Sequence, residues 1–182
     1  MDFELSEEQK EIKRAAYEFA KGEFDKDLAI ELAKNHAFPE QIHKKDCQLG
    51  FIGIHYPEAY GGQGYGILGN SLVMEEFCRQ DSSIGIALNI CNFASEIILR
   101  FGNEGQKKKY LIPLTKGETI SAGAFIEPDH GSDITQMFTT GTLDNGEFII
   151  NGTKTFISNG TIAKFAIVLC QTDPNVKPPY RG

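Results

Sequence analysis

The chain has 182 residues, 41% hydrophobic and 24% charged, with a formal net charge of −7. That is enough for one large domain or two small ones, with the balance of an ordinary globular protein. The acidic surplus argues against nucleic acid as a partner, because such binding calls for a basic patch.

The first two thirds read as helices. Ser6 caps the first, and Gln9 three residues on completes a capping box. Ile12, Ala15, Ala16, Phe19 and Ala20 then recur at helical spacing on one apolar face, and Gly22 is placed to stop the helix. A short helix is expected over Asp27 to Lys34. A third begins at Pro39 and ends at Gly50. After Phe51-Ile52-Gly53-Ile54, the segment Tyr56 to Gly64 has no periodicity and is rich in glycine, so it reads as a loop whose aromatic residues pack. Helix returns over Leu68 to Arg79 and Ser83 to Phe101, where Gly102 closes it. Residues 84 to 99 are strongly apolar, but Asn89, Asn92 and Glu96 interrupt them, and a buried helix fits better than a membrane span. Asn103 caps the next helix, expected to reach Leu111 before Pro113. Its Lys107-Lys108-Lys109 run reads as a solvated face.

From Thr119 the pattern changes to strands. Ile120 to Ile126 is strand-like, with small residues that allow close approach. Asp144-Asn145-Gly146 between two strand-like runs is a hairpin signal, because Asn-Gly tolerates positive φ at both turn positions. Lys154 to Ser158 and Lys164 to Gln171 read as further strands, and Asp173 to Gly182 as a loop. The class is therefore α+β: an all-helical domain over residues 1–118, then an antiparallel, β-barrel-like domain over 119–182. With few strands and nothing to cover their edges, that second domain reads as truncated.

Four cysteines, Cys47, Cys78, Cys91 and Cys170, form no C-x-x-C pair and have no histidine at ligand spacing. They read as free thiols in a reducing compartment, and no metal site is expected. No targeting segment is visible at the N-terminus.

Two segments carry chemistry. Ile126-Glu127-Pro128-Asp129-His130-Gly131-Ser132-Asp133 ends a strand in a turn that presents amides and a hydroxyl. Gly131 lets backbone come close, and a hydroxyl suits a phosphate oxygen. Phe156-Ile157-Ser158-Asn159-Gly160 ends another strand on a hydroxyl and a glycine. Together they read as a wall for a planar, phosphate-bearing cofactor. Standing alone, either could be a plain turn.

These motifs, with Tyr56-Pro57-Glu58-x-Tyr60-Gly61-Gly62, Gly102-Asn103-Glu104-x-Gln106-Lys107 and Asn151-Gly152-x-Lys154, occur in the order and spacing of one family. The chain resembles the N-terminal half of an acyl-CoA dehydrogenase, with the helical domain and part of the middle β domain but no C-terminal helical domain. The resemblance implies FAD as cofactor and α,β-dehydrogenation of an acyl-CoA thioester, with hydride passing to flavin N5. By position, backbone groups of Phe125 and Ile126 face the flavin pyrimidine edge, and Ser132 bonds the pyrophosphate and lies near the pantetheine arm. Gly131 shapes that turn. Phe156 takes the place of a tryptophan stacked beside the flavin, Ile157 follows it, and Ser158 replaces a threonine near N5. Ile126 stands where most relatives have a threonine that bonds the flavin. The helix from Ser83 to Phe101 lines the acyl pocket. Glu127 is structural, and His130 a surface or cofactor-adjacent turn residue. The catalytic glutamate belongs to the second helical domain, so no catalytic residue is assigned in this chain.

The resemblance also implies acyl-CoA as substrate, an electron-transferring flavoprotein as acceptor and a homotetramer, with no integral membrane segment. It places the protein in the bacterial cytoplasm or, in a eukaryote, the mitochondrial matrix. An acyl-CoA oxidase or flavin monooxygenase of the same fold stays open, as does a non-catalytic subunit that retains the fold.

Overall fold

The computed structural model describes residues 4–173, 175 and 176. The expected loop from Asp173 to Gly182 lies mostly outside the described residues. The chain is α+β and divides into two compact units, Met1–Ile120 and Ser121–Gly182.

The first unit holds α1 (Glu7–Glu23), α2 (Lys26–Lys34), α3 (Glu40–Leu49), α4 (Gly66–Gln80), α5 (Ser82–Asn89), α6 (Ser95–Phe101) and α7 (Glu104–Thr115). The capping box is present: Ser6 Oγ accepts from Gln9 N at 3.2 Å, and Gln9 Oε1 accepts from Ser6 N at 2.9 Å. Asn103 and Gln106 repeat it at α7, both bonds at 2.9 Å. The core gathers Ile12, Ala16 and Phe19 of α1 with Val73 and Phe77 of α4 and Ile84 and Leu88 of α5. The rings of Phe19, Phe24, Phe51 and Phe77 stand 5.3–6.0 Å apart, tilted or edge-on, as aromatic quadrupoles prefer.

Local signals misplace three features. Gly22 does not stop α1, which continues to Glu23 and closes on Phe24, because Phe24 N still reaches Ala20 O at 2.9 Å and Phe24 itself is buried. Pro113 lies inside α7, which runs on to Thr115 because Leu111, Leu114 and Thr115 are buried. The single helix expected over Ser83 to Phe101 is α5, a 3-10 turn at Ile90–Asn92, and α6. The break lies at Ala94, φ 67°, and a buried polar clamp holds it. Tyr56 Oη, 0% exposed, bonds Ser95 Oγ, and Ser95 Oγ donates to Asn92 O. Ser82–Phe101 is long and apolar enough to cross a membrane by length and composition alone, yet it is not one continuous helix. A Cβ at Gly62 would overlap the Tyr56 carbonyl, so the Gly61-Gly62 pair lets the preceding loop fold onto itself.

The second unit holds β1 (Ser121–Ala124), β2 (Thr140–Asp144), β3 (Glu147–Asn151) and β4 (Phe165–Val168). β2 and β3 form the expected hairpin, with Asn145 and Gly146 at φ 50° and 87°. β1 and β4 pair in parallel, Ser121 against Phe165 through Ala124 against Val168, which corrects the all-antiparallel expectation. A parallel pair needs a crossover of a dozen or more residues, and residues 125–164 supply it. Among the described residues the result is two two-stranded sheets, bridged where Gly141 N donates to Gln171 O at 2.7 Å. Lys154 to Ser158 is not a strand. It is drawn instead against the end of β1, where Lys154 Nζ donates to Phe125 O.

Candidate functional site

The residues read from sequence as a cofactor wall, Phe125, Ile126, Gly131, Ser132, Phe156, Ile157 and Ser158, all lie in the β unit. The chain leaves β1 through Phe125 and Ile126. Glu127 and His130 then exchange backbone bonds of 3.0 and 3.2 Å, closing a tight turn. Glu127 is 4% exposed and serves as the hub of that turn. Its carboxylate accepts from Phe138 N at 2.7 Å, Thr139 N at 2.9 Å and Lys154 Nζ at 2.9 Å. Burial works against the charged form, but donors on Thr139, Phe138 and Lys154 outweigh it and hold this carboxyl down at about 2. A carboxyl so committed is scaffold.

Lys154 joins the two motifs. Besides Glu127, its ammonium donates to Phe125 O at 3.0 Å, and the next residue's Thr155 N donates to Ile126 O at 3.0 Å. The Phe156 to Gly160 segment therefore starts beside Phe125 and Ile126. Lys154 belongs to the Asn151-Gly152-x-Lys154 motif, and its pattern alone gives no sign of this bridging. Gly152 of that motif seats against Thr139 so closely that any Cβ there would overlap it.

Phe156 is the least ordinary residue of the unit. Its φ is 53°, and it is 89% exposed. A bulky residue in the left-handed region costs about 1–2 kcal/mol, and full exposure of the ring recovers nothing by burial. Ile157 is half-buried and Ser158 exposed, and Gly160 N closes on Ile157 O at 3.1 Å. Gly131 and Ser132 are both exposed. A Cβ at Gly131 would meet nothing within 4 Å among the described residues, and its φ is not left-handed. The exposed Asp133 accepts from Thr135 N at 3.2 Å. The His130 ring packs edge-on against Phe138 at 4.7 Å. The Ile126 N–H donates to no group among the described residues. The unit thus offers an exposed aromatic face, an amide donor and exposed hydroxyls, donors and apolar surface of the kind a flavin nucleotide uses.

In the helical unit, Glu96 is engaged by His55 Nε2 at 3.0 Å and Arg100 Nε at 3.1 Å. Burial lowers the His55 pKa, and Glu96 opposes that shift.

Two family models match the chain: acyl-CoA dehydrogenase, N-terminal domain, over residues 6–118, and acyl-CoA dehydrogenase, middle domain, over residues 122–181. The chain belongs to the acyl-CoA dehydrogenase family. It is 37% identical to the acryloyl-CoA reductase (NADH) of Anaerotignum propionicum, over 96% of this chain and 44% of that protein. It is 36% identical to the short-chain-specific acyl-CoA dehydrogenase of Clostridium acetobutylicum, over 95% and 46%. The solved structure of PigA with FAD and proline matches with a TM-score of 0.87 and 34% identity, over 97% of this chain and 46% of that one. Relatives include bacterial and mitochondrial proteins. The chain spans less than half the length of these relatives.

Proposed function

We propose that the intact protein is an FAD-dependent oxidoreductase acting between Cα and Cβ of an acyl-CoA thioester, and that this chain supplies flavin and acyl-pocket walls. Bound FAD supplies the two-electron acceptor for the hydride that leaves Cβ, while a base outside this chain takes the α-proton and the C=C bond forms. The observation that carries the reading is Phe156, a strained aromatic face held in the open beside Phe125 and Ile126. Strain of that kind persists where surrounding structure over-determines it, and it clusters at binding sites.

In this reading Phe156 stacks beside the flavin, and Ile157 extends the apolar surface. Ser132 donates to phosphate and Ser158 to the ring system. The Phe125 and Ile126 carbonyls are held by Lys154 and Thr155, so the Ile126 N–H is the backbone donor left for the cofactor. Gly131 keeps the approach to Ser132 free of a side chain. An electron-transferring flavoprotein is the proposed acceptor, the homotetramer the proposed assembly, and the boundary near residue 118 the proposed domain limit. The proposed setting is the bacterial cytoplasm or the mitochondrial matrix.

Ile126 favours a second direction of the same chemistry. Without a side-chain hydroxyl it stabilises the reduced cofactor less than threonine would, which lowers the potential. A lower potential favours giving electrons to an unsaturated thioester, and one relative is named a reductase of acryloyl-CoA.

The test is FAD affinity of the intact protein. Phe156→Ala and Ser132→Ala are each expected to weaken it about 10-fold, the value of one stacking contact or one charge-assisted hydrogen bond. Unchanged affinity in both variants would remove this wall from the site.

A further inference from the structure

A small cavity inside the helical unit is lined by Asp46 of α3, Asn70 of α4, Asn89 at the end of α5 and Asn92, among apolar neighbours such as Phe77 and Leu88. Its room is about 10 Å³, close to what one water needs. Asp46 is 0% exposed, and neither of its carboxyl oxygens has a hydrogen-bond partner among the described residues. Asn70 Nδ2 reaches Asn89 Oδ1 only at 3.4 Å, so the amides are weakly tied to each other. A buried carboxyl with both oxygens idle is among the costlier states a polar side chain can take, whether charged or neutral. Burial raises the Asp46 pKa well above the carboxylate range, which lessens the charge but leaves the acceptors unmet.

We propose that Asp46, Asn70, Asn89 and Asn92 form an interior site for one water-sized hydrogen-bond donor, water or ammonium, held against the Asp46 carboxyl. Such an occupant donates to Asp46, and a water also accepts from an amide across the cavity, giving two or more polar partners as an interior water needs. Water goes with the protonated acid. Ammonium goes with the ionised one, because its charge offsets the carboxylate. The site joins α3, α4 and the end of α5 by polar contacts.

The test uses crystals of the intact protein grown with and without ammonium chloride, at a resolution that shows ordered water, and thermal unfolding in ammonium against sodium chloride. The expected result is a density peak at about 2.7–3.2 Å from an Asp46 oxygen. A saturable rise of Tm in ammonium over sodium, lost in Asp46→Asn, assigns the occupant as ammonium. An equal Tm in both salts with the peak present assigns it as water. Asp46→Leu, which fills the space and removes the acceptor, is expected to lose the peak. If that variant does not fold, Asp46→Asn decides, keeping the peak without the salt response. A dry cavity in both crystals overturns the proposal, as does a peak that survives in Asp46→Leu.

Discussion

Phe156 combines two properties a sequence does not announce. Phenylalanine after Lys-Thr reads as a strand residue, because aromatic residues favour strands. Its φ is 53° instead, directly after Lys154 and Thr155, which bond to the chain leaving β1. Strain and the proposed flavin contact are separable here. Phe156→Gly is expected to stabilise the intact protein by about 1 kcal/mol in denaturant unfolding, while FAD affinity falls. A loss of stability would show that the ring packs. Lys154 and Glu127 form a buried pair, and breaking such a pair costs roughly 3 kcal/mol or more. Lys154→Met should show that loss by denaturant unfolding, and an unchanged midpoint would contradict the scaffold role. The pH dependence has a definite sign. Glu127 titrates lower folded, at about 2, than unfolded, at about 4.3, so its contribution is present above about pH 4.3 and fades as pH falls toward 2. Glu127→Gln should flatten that part of the acid limb. Ile126→Thr restores a side-chain donor and is expected to raise the flavin potential in a redox titration. An unchanged or lower potential would remove Ile126 as its determinant.

At the scale of elements, what was legible was what the chain settles locally. The Ser6–Gln9 and Asn103–Gln106 boxes and the Asn145-Gly146 hairpin all depend on residues within three or four positions. What was not legible depends on distant partners. The break between α5 and α6 is held by Tyr56, 39 residues from Ser95, and composition from Ser83 to Phe101 gives no hint of it. The parallel pairing of β1 with β4 depends on what the intervening forty or so residues do, and local pattern is silent on that. Tyr56→Phe is expected to cost about 1–2 kcal/mol, since it leaves the buried Ser95 hydroxyl with one partner fewer. Thermal unfolding would show it, and no change would mean that packing alone holds the break.

At the scale of the whole molecule, the proposed cofactor wall was read as a set of motifs, and the bonds that tie its segments together were not. Sequence placed Phe125, Ile126, Ser132, Phe156 and Ser158 on one wall, and the structure joins two of its three segments through Lys154, which sequence left without a role. Large apolar side chains remain exposed in both units. Phe101 is 82% exposed on α6, and Leu143, Phe148, Ile149 and Ile150 are all exposed on the β2–β3 hairpin. Exposed apolar surface of that extent marks places that bind something. The most direct measurement adds candidate acyl-CoA thioesters to the intact protein without oxygen and follows the flavin absorbance. Bound FAD that bleaches on adding a saturated acyl-CoA is the predicted result. A protein that purifies without a yellow chromophore and takes up no added FAD would contradict the account.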